Sequence, residues 1–189
     1  MIRIGILGDI GSGKSYYANN FGYPVFNADD EVSKLYKKDK KTFIKLKKKL
    51  PEYIYSFPVN KTQITKAILS KNDNLRTIIK IVHEEIRKKM KLFLKRNKNK
   101  KIVILDIPLL LENKINNKKD ILVFIESKKE DIEKRLKKRK NFNRKLLNKF
   151  RKIQFKSDYK KKKSHFIIKN NFTKKNVNES IKNILNDIL

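Results

Sequence analysis

The chain of 189 residues contains no cysteine. A disulfide framework, a thiolate metal site and a cysteine nucleophile are therefore excluded, and the absence fits a cytoplasmic protein. No apolar run reaches 18 residues, so no membrane-spanning helix is expected. The opening "MIRIGILG" is too short, and too soon followed by glycines, to read as a signal peptide. Acidic residues are scarce: 19 Asp and Glu stand against 50 Lys and Arg, a formal net charge of +31. Such a balance suits anionic partners, nucleotides or nucleic acid. The excess, however, is nearly all lysine mixed with isoleucine and asparagine along the whole chain, which codon drift in an AT-rich genome would also produce. Arginine is rare, at positions 3, 76, 87, 96, 135, 139, 144 and 151. Where lysine is the default, a retained arginine marks a place for a planar, bidentate fork, and four of the eight fall between Arg135 and Arg151.

What is present is an alternation of short apolar runs with amphipathic segments. "RIGILG", "YPVF", "IVILD", "DILVFIES" and "HFIIKN" read as five strands, apolar along most of their length. Most are followed by a segment with apolar residues at helical spacing. That pattern predicts an α/β fold with a parallel sheet covered on both faces. Between about Lys40 and Arg96 no strand is expected, only helices, broken at Pro51 and Pro58. The predicted organisation is a core of residues 1–39 and 97–189, a helical insertion at 40–96, and a helical segment at about 128–155 made of "KKEDIEKRLKKRK" and "RKLLNKFRKIQF".

"GDIGSGKS", Gly8 to Ser15, matches G-x-x-x-x-G-K-[ST] after a strand and ahead of a helix, the context that gives the motif its meaning. Glycines let the backbone curl so that successive N–H groups, with the helix N-terminus, hold phosphate oxygens. Gly11, Ser12, Gly13, Lys14, Ser15 and Tyr16 are the candidate ATP-binding residues. Lys14 reaches the β- and γ-phosphates, and the Ser15 hydroxyl ligates Mg²⁺. Asp106 ends the apolar strand "IVILD" and is a second candidate for Mg²⁺; a hydrogen-bonded turn residue is the plainer alternative. Asp29 and Asp30 follow the second strand in "FNADDEV". They are either an acidic start to a helix, with Asn27 as its cap, or carboxylates placed to act on a substrate.

"ILGDIGSGKS", "FNADDEV", "VHEEIRKKM", "VILDIPLLLEN", "EKRLKKRKNFNR" and "SHFIIKNN" occur in the order and spacing of one family. Through them the chain resembles the dephospho-coenzyme A kinases, which carry out the last step of coenzyme A synthesis. The resemblance implies a three-layer P-loop kinase fold: a five-stranded parallel sheet, a helical coenzyme-binding insertion and a helical lid. It implies transfer of the γ-phosphoryl group of ATP to the ribose 3′-hydroxyl of dephospho-coenzyme A, with Asp29 as base and Lys14 at the phosphates. Arg135 and Arg139, four apart on one predicted helix, are expected to share a face. Arg135 is a candidate for ATP binding, and Arg139 and Arg144 for balancing charge on the moving phosphoryl group, with a solvated basic face as the plainer alternative. The expected partner is this small molecule, without nucleic acid or membrane; oligomeric state stays open. Asn27 stands where the family has an aspartate, Tyr16 where it has a threonine, and Glu84 where a proline follows His83. The rival readings are a P-loop kinase acting on another small molecule, and a basic nucleic-acid-binding NTPase.

Overall fold

A computed structural model describes residues 1–140 and 142–189. Asn141, between the two helices predicted at about 128–155, lies outside the described residues. Five strands form one all-parallel sheet: β1 (Ile2–Gly8), β2 (Val25–Asn27), β3 (Ile102–Asp106), β4 (Ile121–Ser127) and β5 (Phe166–Asn170), in spatial order β2-β3-β1-β4-β5. β3 is buried at every position and β1 from Ile4 to Gly8, as strands covered on both faces must be.

The chain divides into two compact units. The first comprises Met1–Asn27, Arg96–Phe142 and Ile153–Leu189, and contains the sheet. Its helices include α1 (Lys14–Asn20), α6 (Lys129–Lys137), α8 (Ser157–Lys163) and α9 (Lys174–Ile188). On one face, Ile4, Ile6, Ile102, Ile104, Val123, Ile125 and Ile168 pack against Tyr17, Ala18 and Phe21 of the α1 segment and Val177, Ile181 and Ile184 of α9. Fully burying one such side chain is worth about 1.5–3 kcal/mol, so this layer is a principal source of the unit's stability. At the amino edge of the sheet, Arg3 of β1 forms an ion pair with Asp120, its Nη2 donating to Oδ2 at 3.0 Å and its Nε lying 2.9 Å from Oδ1. Burial, the dominant influence, holds the Asp120 carboxyl above the usual range despite Arg3 and the Asn117 amide.

The second unit comprises Ala28–Lys95 and Asn143–Lys152. It holds α2 (Ala28–Lys38), α3 (Lys40–Lys49), α4 (Lys61–Ser70), nearly all of α5 (Asn72–Arg96) and α7 (Arg144–Ile153). Its helices begin where capping chemistry permits. Asp39 accepts the Thr42 amide at 2.8 Å ahead of α3, and Asn60 accepts the Gln63 amide at 2.9 Å ahead of α4. Asn143 does the same for Leu146 ahead of α7. In α5, buried Leu75, Ile78, Val82, Ile86 and Met90 recur at helical spacing. On its exposed face, Glu84 and Glu85 pair with Lys45 and Lys88. The proline expected after His83 is thus replaced by a residue in a surface charge cluster.

Two differences from the sequence-based expectation stand out. The helix α8 was not predicted: "SDYKKKK" carries no apolar stripe. Further, α6 ends at Lys137 rather than running to Lys140. No apolar residue follows Leu136 to anchor another turn, and the Arg139 amide closes on the Leu136 carbonyl at 3.1 Å in a tighter turn. Arg135 and Arg139 therefore do not share a helix face.

Candidate active site

All five strands deliver their carboxyl ends to one edge of the sheet. Register places Asn27 opposite Asp106, Gly8 opposite Ile125 and Ser127 opposite Asn170. Residues just beyond these ends are where an open parallel sheet binds ligands.

The loop after β1 bends back on itself. Gly11 and Gly13 have φ of 92° and 96°, a region that other residues rarely enter. At Gly13 a Cβ would also lie 2.9 Å from Asn170 Nδ2. Gly13 is the N-cap of α1 and offers no side-chain hydrogen bond. No side chain caps this first turn, the Tyr16 amide folds back on the Gly13 carbonyl at 3.0 Å, and the positive end of the helix favours an anionic ligand. Lys14 Nζ donates to the carbonyls of Gly8 at 3.1 Å and Asp9 at 2.8 Å, which folds its charge over the loop. Ser15 and Tyr16 are exposed at the start of α1.

A buried polar network holds this loop in place. The Ser12 carbonyl accepts from Ser127 Oγ and from Asn170 Nδ2, both at 2.9 Å. The Tyr17 hydroxyl donates to Asn176 Oδ1 at 2.8 Å and lies 3.2 Å from Asn170 Oδ1. Burial pushes the Tyr17 phenol up to about 12. The Ser12 hydroxyl is fully buried and has no hydrogen-bond partner among the described residues. Ser127 and Asn170 were not among the predicted site residues, although their places at strand ends were a usable signal.

Asp106 is 3% exposed, and its Oδ2 accepts from Asn27 Nδ2 at 2.8 Å. Asp29 is the second residue of α2 and exposed; its carbonyl accepts from Ser33 Oγ at 2.9 Å. With Asp30 and Glu31 it fills the first turn with negative charge, and Lys37 and Lys38 fill the last, both favourable to the helix dipole. Arg135 lies on α6 with its guanidinium carbon 4.3 Å from the centroid of the Phe172 ring. Phe172 has φ of 61° and is fixed by its amide donating to Asn170 Oδ1 at 2.8 Å. Arg139 is exposed past the end of α6, and Arg144 is exposed as the first residue of α7. The structure thus gathers Gly11 to Ser15 and Asp106 on one sheet edge, within the first unit. Asp29 and Arg144 belong to the second unit, and Arg135 and Arg139 to the first.

The family model described as dephospho-CoA kinase matches residues 2–176. The chain belongs to the dephospho-CoA kinase family. A dephospho-CoA kinase of Wolbachia pipientis wMel is 32% identical over 190 residues, covering 98% of this chain and 97% of its own. Among solved structures, a Thermus thermophilus protein superposes with a TM-score of 0.80 at 24% identity, covering 100% of this chain and 98% of its own. The dephospho-CoA kinase of Campylobacter jejuni gives 0.61 at 19% identity, covering 98% and 96%. At these identities both structures speak to the fold alone. Kinases of this family phosphorylate dephospho-CoA at the expense of ATP, in the synthesis of coenzyme A.

Proposed function

We propose that the chain transfers the γ-phosphoryl group of ATP to the ribose 3′-hydroxyl of dephospho-coenzyme A, with Mg²⁺ and in the cytoplasm. The observation that carries the proposal is the loop of residues 8–15. It combines an uncapped helix start with a folded-over lysine in a chain matched to the family almost end to end. The loop and helix start from Gly11 to Tyr16, with the Lys14 ammonium, hold the triphosphate. A donor set of one hydroxyl and one carboxylate suits Mg²⁺, which keeps several waters and takes its other ligands from phosphates. Ser15 and Asp106 are the residues that would hold it. When bound, the ion neutralises charge on the β- and γ-oxygens.

Asp29 accepts the proton of the acceptor hydroxyl as the oxygen attacks phosphorus. Its support is its position two residues beyond Asn27, whose side chain is joined to Asp106 at the carboxyl edge of the sheet. The same carboxylate can favour the helix dipole, so the two readings of "FNADDEV" coexist. Arg135 contributes to holding ATP, and Arg139 and Arg144 balance charge on the transferring group. The helices of residues 40–96 are assigned to the coenzyme and those of about 128–155 to a lid. No nucleic acid partner is required.

The deciding experiment incubates the purified chain with ATP, Mg²⁺ and a panel of acceptors. The expected result is ADP release and coenzyme A formation with dephospho-coenzyme A, unaffected by RNA or DNA. Release with another nucleotide or alcohol, and none with dephospho-coenzyme A, would reject the assignment.

A further inference from the structure

The helix α8 takes no part in the reaction as assigned above, yet three of its polar side chains reach three different strand ends. The Ser157 hydroxyl lies 2.7 and 2.8 Å from the two carboxylate oxygens of Asp9, the residue that follows β1. Lys160, only 2% exposed, places Nζ 3.3 Å from the Glu112 carboxylate in the turns after β3. Lys161 pairs with Glu126, the next-to-last residue of β4. Because β3, β1 and β4 are consecutive in the sheet, the helix is fastened across their carboxyl ends. A seven-residue lysine-rich helix has little intrinsic stability, so these ties account for its existence.

The tie to Asp9 bears on nucleotide binding. Asp9 puts a carboxylate inside the eight-residue loop that receives a polyanion, where an untethered negative charge opposes binding. Its backbone carbonyl also accepts the Lys14 ammonium. Whatever fixes Asp9 therefore fixes both an unfavourable charge and the anchor of the essential lysine. We propose that α8 is a latch on the phosphate loop, with Ser157 the positioning residue that tethers the Asp9 carboxylate and so sets the affinity for ATP. Lys161 assists, since its charge acts on Asp9 as well as on Glu126.

The proposal rests on the loop holding ATP, and calorimetry of ATP binding to the full chain tests it apart from the acceptor. Failure of dephospho-coenzyme A as acceptor would leave the ratio of Kd values intact as a test. A wild-type chain that binds no ATP would overturn the assignment of the loop and the latch with it. Ser157→Ala is expected to raise the Kd for ATP about tenfold, with kcat at saturating ATP within about twofold of wild type. Ser157→Thr, which keeps the hydroxyl, is expected to stay within about twofold in Kd. Adding Asp9→Asn to Ser157→Ala removes the freed charge and should recover most of the lost affinity. A purely structural role predicts the opposite for the double variant, which would then bind as weakly as Ser157→Ala. Lys161→Met provides a second, independent variant, expected to raise the Kd about threefold. An unchanged Kd in Ser157→Ala, or a rise that Asp9→Asn leaves in place, would overturn the proposal.

Discussion

Asn27 and Asp106 meet because β2 and β3 run parallel with these two residues in register. An amide opposite a buried carboxylate is a donor meeting an acceptor, so the pair is content without a cation. Asn27→Asp would set two carboxylates against each other and leave the Asp106 oxygen without this donor. We expect a loss of about 2 kcal/mol in the absence of divalent ions, a melting temperature lower by roughly 4–8 °C. Millimolar Mg²⁺ should restore much of it, and thermal melts with and without the ion read this directly. Asp29→Asn is isosteric and keeps the helix start. Its kcat should fall by about 10²–10⁴ with an unchanged melting temperature. Normal kcat with reduced stability would assign the residue to helix capping alone. At this scale the sequence was informative where function sits in consecutive residues. The stretch from Gly8 to Ser15 is recognisable because eight neighbours make one loop. The tether from Ser157 to Asp9 spans 148 positions, and no local pattern announces it.

The elements were legible to the extent that apolar periodicity made them. All five strands and the helices with a buried stripe, α5 and α9 among them, could be read from spacing. By contrast, α8 is held by ion pairs and a hydroxyl, and periodicity is silent about those. The overlong reading of α6 has the matching cause: lysine and arginine favour a helix, but the exposed Lys137 to Lys140 supply no apolar side chain to anchor another turn. The polar ties that fix α1 are testable through Tyr17. Its phenol is raised to about 12 in the fold, against about 10 in an unfolded chain. The folded state therefore retains this proton where the unfolded state has lost it. The contribution is complete below about pH 10 and disappears as pH rises through about 12. Wild type should lose stability more steeply than Tyr17→Phe across that interval, as denaturant melts at several alkaline pH values would reveal. Parallel slopes would mean that the hydroxyl is not shielded from water.

For the whole molecule, a net charge of +31 is a field rather than a set of contacts. Like charges repel in the compact state, and anionic substrates are drawn toward it. Raising salt from about 0.05 to 0.5 M shortens the screening length and should act in two directions at once. The melting temperature should rise as repulsion is screened, while the KM for ATP increases as attraction weakens. A salt-independent KM would show that the lysine excess plays no part in substrate capture. The pairing pattern of the sheet also governs how the chain comes to be folded. Ile2 pairs with Ile102, and Ile4 with Ile121. During synthesis, β1 thus leaves the ribosome with both flanks bare and waits through some hundred further residues for its first neighbour. Loop closure over that length is slow, and an apolar strand left open is prone to the wrong company. The helical residues made in the interval are free to fold first, so the register of the sheet ties its earliest strand to partners made much later.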